Sequence, residues 1–298
     1  MNSIELVRLS FYGFTAASLA VLVATVLYVT DVAWLARMPA LAPAALPRNP
    51  WRLRPVGMTT AGWLAKLATR IAAIFAGVAV VTRTIVAGRG PYSDMYEFSI
   101  AFVFVALLAY ILVERIYETR LLGVVALPVV LGMVAYVWSL PPGVREVRGL
   151  IPALQNSWVL TAHVSVAVIA YAAFAISFAA SVLYLAVDRQ PRAWLPNRDL
   201  LDDVGFRAVA VGFPAQTLLL ILGSLWAQQA WGAYWSWDPK ETAALFTFLV
   251  YGAYLHTRSL RGWRGRRSAI FLALSFFTVV FTYFGNYWFG GLHAYAGV

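Results

Sequence analysis

The chain reads as an all-α, polytopic membrane protein with about eight transmembrane helices and both termini outside the cytoplasm. Three features predict this. Of its 298 residues, 61% are hydrophobic and 12% charged, with a mean hydropathy of +0.73, a balance that water-soluble domains do not carry. Apolar stretches near the roughly 20 residues needed to cross a hydrocarbon core recur along the whole length. Arginines crowd into every second connection between those stretches.

The first stretch, 9–34, is long and is preceded by Glu5 and Arg8, so it reads as a retained anchor rather than a cleaved leader. A Pro-rich connection over 38–55 follows and shows no periodicity. The second stretch, 65–86, carries Lys66 and Arg70 near its inner end and Arg83 near its outer end. Long basic side chains at such depths are expected to snorkel, and Arg83 has the alternative of pairing with an acidic ligand or partner near the outer surface. The remaining stretches are 95–114, 121–140, 158–186, 207–226, 241–257 and 268–289. No internal repeat or separate soluble domain interrupts them, so 1–298 is read as one membrane domain.

The connections after the first, third, fifth and seventh stretches hold Arg37, Arg48, Arg52 and Arg54; Arg115 and Arg120; Arg189, Arg192, Arg198 and Arg207; and Arg258, Arg261, Arg264, Arg266 and Arg267. The opposite side holds only Arg8, Arg89, Arg145, Arg148 and Lys240. Positive loops stay cytoplasmic, which puts the termini and the segment 226–241 on the extracytoplasmic side of a bacterial plasma membrane. The same loops account for the net charge of +10, so nucleic acid is not an expected partner, whereas membrane lipids are. With no cysteine, the chain has no disulfide, thiolate metal site or thiol nucleophile, and any thiol chemistry must come from a partner.

Segment 226–241, WAQQAWGAYWSWDPKE, sets Trp226, Trp231, Tyr234, Trp235 and Trp237 ahead of Asp238, Lys240 and Glu241. Aromatic residues collect at bilayer interfaces, but four of the protein's 12 tryptophans in one connection exceed what an interfacial belt needs. They form an expected platform for a large, flat, apolar ligand.

The three histidines are His163, His256 and His293. A single histidine in a membrane helix commonly serves as a hydrogen-bonding residue between helices, but the depths of these three suggest more. His163 lies about 5 residues inside the outer edge of its stretch, roughly 7 Å down, and His293 lies just beyond the last stretch. Both are therefore at the outer face, on either side of the tryptophan segment. His256 follows Glu241 by 15 residues, roughly 22 Å deeper. Two imidazoles beside an aromatic platform, with no thiolate and few carboxylates, suit an imidazole-binding metal. Haem needs only two axial ligands and a broad apolar platform. Its propionates would find cations in Arg83, Arg89, Arg145, Arg148 or Lys240. No residue reads as a catalytic acid, base or nucleophile.

WGAYWSWDPKET resembles the tryptophan-rich "WWD" signature of the haem-handling proteins of cytochrome c biogenesis, and its wording is closest to the CcsA or ResC type subunit of System II cytochrome c synthase. The AHVS around His163, YLHTR around His256, GNYWFGGLHAY ending near His293, and GRGPYSDMYE from Gly88 agree with it. Asp94 stands where that pattern often has Asn, and Ala243 where Trp is common. The resemblance implies that His163 and His293 are axial haem ligands at the outer face and that His256 holds haem transiently within the membrane. It also implies a ResB-type membrane subunit that supplies a further histidine, and apocytochrome c, whose CXXCH thiols add to haem held non-covalently as a b-type complex. The chain would be the haem-binding subunit of a holocytochrome c synthase. Alternatives are a CcmC-like carrier that loads a haem chaperone, and a b-type electron-transfer protein; the latter usually needs four axial histidines, and this chain has three.

Overall fold

The computed structural model describes residues 3–37, 59–90, 92–147, 149, 154–155, 158–187, 195–285 and 289–293. Eight α-helices follow one another: α1 (Ser3–Arg37), α2 (Thr60–Ala87), α3 (Met95–Tyr117), α4 (Gly123–Ser139), α5 (Trp158–Ala186), α6 (Arg198–Trp231), α7 (Pro239–Leu260) and α8 (Arg266–Phe284). There is no strand among the described residues. The Pro-rich connection with Arg48, Arg52 and Arg54, and also Arg148, Arg189 and Arg192, lie outside the described residues.

Each predicted stretch overlaps one helix, and α5 matches its stretch to the residue. Among the described residues, seven helices are long and apolar enough to cross a membrane. The exception is α7, which carries its polarity on the inside. Thr247, Tyr251 and Tyr254 are buried, whereas Phe246 and Leu249 are exposed. This is the reverse of a water-soluble amphipathic helix, and it suits a helix whose outer face meets lipid.

Helix starts are set by side-chain caps. Thr59 accepts from Gly62 N, Asp94 from Glu97 N and Asn197 from Asp199 N, each satisfying an amide that the helix leaves open. α1 packs along α2 and α5 along α6, while α3 joins the two pairs by touching α2, α4 and α5. The buried face of α2 is mostly small, with Ala65, Ala68, Ala72, Ala76 and Ala79. That permits the close helix approach that drives association in lipid.

Of the basic residues on α2, which were expected to snorkel, only Arg70 is exposed. Lys66 pairs instead with Glu114 of α3 at 2.9 Å, and beside it Arg120 pairs with Asp31 of α1 at 3.2 Å. Arg83 is 2% exposed and turned inward. In hydrocarbon, a nearby carboxylate stabilises such a cation more than a stretched path to the interface does.

Candidate functional site

The N-termini of α3, α5 and α7 and the C-termini of α6 and α8 meet at one end of the bundle around an open cavity. Its walls are mainly apolar, with His163, Trp226, Trp235, Lys240, Glu241 and His293 among the lining residues. Apolar walls with a few convergent polar groups characterise small-molecule sites.

His163 sits just over one turn into α5. Its Nδ1 lies 2.9 Å from the Leu219 carbonyl of α6. A carbonyl only accepts, so Nδ1 carries the proton and the ring's lone pair resides on Nε2. Trp226 is 2% exposed and stacks nearly parallel to this ring, centroids 6.3 Å apart and planes at 15°. Trp226 also meets His293, tilted by 53° at 5.8 Å, and Trp231 meets His293 edge-on at 4.8 Å. Both histidines thus contact one buried indole.

His293 is held by Asp238. Its Nδ1 donates to Oδ2 at 2.7 Å, which again leaves the ring lone pair on Nε2. Asp238 caps α7 by accepting from Lys240 N at 3.0 Å and also accepts from Leu292 N. The capping box is completed by Glu241, whose Oε2 accepts from Ser236 N at 2.9 Å and Ser236 Oγ at 3.1 Å. One carboxylate therefore fixes the 232–238 connection and the other fixes His293.

Burial holds His293 below the usual imidazole range, against the opposing pull of Asp238. Burial would raise the Asp238 carboxyl, but the hydrogen bond and charge of His293 and the amides of Lys240 and Leu292 overcome it and hold the group low. A group with a lowered folded-state pKa contributes stability above its unfolded value and loses it as pH falls through the folded value. The stabilising contribution of His293 should accordingly be level above pH 6.5 and decline on acidification below it. Thermal unfolding of wild type and His293→Gln across that range checks this, with wild type expected to lose stability more steeply toward acid.

The aromatic segment is not one flat platform. Trp226 and Trp231 belong to the last turns of α6, which ends at Gly232 in the left-handed region, φ 77°. Trp235 lines the cavity and meets Trp237 edge-on at 5.6 Å. Trp237, at φ 61°, and Tyr234 are exposed at 69% and 58%. A tryptophan in the left-handed region carries backbone strain, and here the stapled connection holds it.

Lys240 is the one lysine or arginine among the described lining residues of the cavity. Arg83 is committed elsewhere, donating to Glu97 at 2.9 Å and to the carbonyls of Arg145 and Glu146 at 2.6 and 2.8 Å. Arg89 donates to Glu97 at 2.8 Å, and Arg145 to the carbonyls of Trp138 and Leu140. None of the three lines the cavity. Sequence reasoning missed Glu97, which is wholly buried between the two arginines, and the place of Asp94 on the cavity wall. Burial, helped by the Glu97 charge, pushes the Asp94 carboxyl up to about 6. The Asp-x-x-Glu spacing of residues 94–97 was a legible helix-start signal for both.

His256 is not brought to the cavity. It is exposed near the far end of α7, one turn from the exposed Leu260.

The family model described as Cytochrome C assembly protein matches residues 92–293. Curated relatives named cytochrome c biogenesis protein CcsA include one from Prochlorococcus marinus (strain MIT 9515), 36% identical over 255 residues, covering 76% of this chain and 81% of the relative. Another, from Synechococcus sp. (strain CC9311), is 35% identical over 292 residues, covering 86% and 94%. Among solved structures, one named Cytochrome c Heme Lyase CcmF superposes with a TM-score of 0.69 at 16% identity, covering 94% of this chain and 46% of that chain. The chain thus spans about half the length of that structure and shares its fold.

Proposed function

Because this chain belongs to the cytochrome c assembly protein family as a CcsA-type cytochrome c biogenesis protein, we propose that its cavity receives haem as substrate and presents it for covalent attachment to apocytochrome c. The observation that carries this reading is the pair of imidazoles, His163 and His293. Each has Nδ1 held by an acceptor and therefore Nε2 as its metal-binding nitrogen, and both line one apolar cavity. Two such nitrogens are what a non-covalent, b-type haem requires of the protein.

When bound, haem supplies the vinyl groups that receive the apocytochrome CXXCH thiols. His163 and His293 hold the iron, and Trp226 walls the ligand between them. Lys240 is the cation for a propionate, in preference to Arg83, Arg89 and Arg145. This chain, without cysteine, contributes binding and orientation to the synthase. His256, exposed on α7, would meet a histidine of a ResB-type membrane subunit and hold haem on its way to the cavity. The arginines clustered between α7 and α8, at the end away from the cavity, support a bacterial plasma-membrane orientation with the 226–241 segment outside.

Purified protein from haem-replete cells is expected to show a Soret band that His163→Ala or His293→Ala reduces by about tenfold or more, in keeping with loss of an axial ligand. A preparation without haem, together with unchanged cytochrome c maturation on deletion, would overturn the proposal. Attachment of haem to an apocytochrome by this chain and a ResB-type subunit alone separates the synthase role from that of a CcmC-like carrier.

A further inference from the structure

Gly223 lies on α6 one turn beyond Leu219, on the face turned to His163. A Cβ at this position would stand 2.7 Å from Cε1 and 3.0 Å from Nδ1 of His163. Contacts this short do not occur between a methyl group and an imidazole, so the ring edge rests in a space that exists only because residue 223 has no side chain. In a regular helix the Leu219 carbonyl already accepts from the Gly223 amide. The imidazole Nδ1–H is then its second donor, and the two lone pairs of a carbonyl allow both. Glycine inside a helix costs about 1 kcal/mol relative to alanine, so Gly223 is retained against local preference.

We infer that Gly223 and the Leu219 carbonyl form a notch that seats the edge of His163 and aims its Nε2 into the cavity, which makes Gly223 a positioning residue for haem. The inference rests on the haem-binding reading. His293 has a related arrangement, in which a Cβ on Gly291 (φ 107°) would collide with the Asp238 carboxylate that orients it. Glycine thus permits the orienting contact of each histidine.

Gly223→Ala is expected to lower haem retention about tenfold, as changes to groups that orient metal ligands do. The remaining haem should lose the spectrum of two-histidine, low-spin ligation. Gly212→Ala is the control for a steric defect alone. Gly212 is also on α6, and its Cβ would lie equally close to α5, 2.7 Å from Phe174, so the variant should have lower thermal stability but an unchanged haem spectrum. A Gly223→Ala spectrum identical to wild type overturns the inference.

If Gly223→Ala does not fold, a His163→Gly background removes the clash. Imidazole should then rescue the haem spectrum of His163→Gly but not that of His163→Gly/Gly223→Ala, and equal rescue of both overturns the notch. Absence of haem from wild type would count against the haem reading itself, and nitrogen NMR of the haem-free chain then tests the notch. His163 should carry its proton on Nδ1 in wild type and lose that bias in Gly223→Ala, and an unchanged tautomer overturns the inference.

Discussion

Replacing Asp238 with alanine is expected to remove most haem binding and to destabilise the protein together. The carboxylate is 5% exposed and accepts from Lys240 N, Leu292 N and His293 Nδ1. Losing the cap alone costs about 1 kcal/mol, and losing the group that orients a metal-binding histidine costs about 10- to 100-fold in affinity. His293→Ala separates the two effects. Lys240 N and His293 Nδ1 share Oδ2 of Asp238 while Leu292 N takes Oδ1, so removing the imidazole leaves both backbone amides their acceptors. Haem titration should show strong loss for both variants, whereas thermal unfolding of the haem-free chain should fall further for Asp238→Ala. Normal haem affinity in Asp238→Ala would remove Asp238 from any role beyond capping.

Glu97→Ala should have the largest effect on stability. Glu97 is fully buried and accepts from Arg83, Arg89, Ser93 N and Ser93 Oγ at 2.8 to 2.9 Å. Arg83 in turn holds the carbonyls of Arg145 and Glu146, so one ion pair joins α2, the start of α3 and the connection after α4. Truncation leaves Arg83 buried without its carboxylate, a change that costs about 3 to 5 kcal/mol against the roughly 5 to 15 kcal/mol that keep a typical domain folded. Lower recovery from detergent and faster proteolysis within residues 142–147 are the expected signs. Glu97→Gln, which keeps the shape and an acceptor, should fall between. A melting temperature for Glu97→Ala equal to wild type would show that the network does not hold these elements.

The helices were legible because lipid imposes a length and polarity that a sequence displays directly. The α5 stretch shows this best, being free of charged residues throughout 158–186. α6 extends further at both ends because its first turns, with Asp199, Asp202 and Asp203, and its last, with Gln228 and Trp231, continue the helix past its apolar stretch. That His163 and His293 share one end of the bundle followed from helix depth alone. What depth could not show was pairing across the bundle. Arg83 was open to a ligand or to the interface until Glu97, 14 residues away, was seen beside it. The tryptophans looked equivalent in sequence, but the turn at Gly232 parts them, leaving Trp226 buried against both imidazoles and Trp237 exposed. Ala243 is buried on α7, and nothing in its surroundings explains the departure from the family's Trp.

The inward polarity of α7 has a consequence for how the protein is made. A segment bearing Lys240, Glu241, His256 and Arg258 partitions poorly into lipid alone. It gains a stable place only when α6 and α8 are present to take up its buried hydroxyls, as Thr282 of α8 does for Thr247. Insertion of this segment is therefore cooperative with its neighbours. Since α6, α7 and α8 supply a large part of the cavity wall, the pocket is completed only late in membrane integration, which leaves little opportunity for a partly inserted chain to capture a ligand.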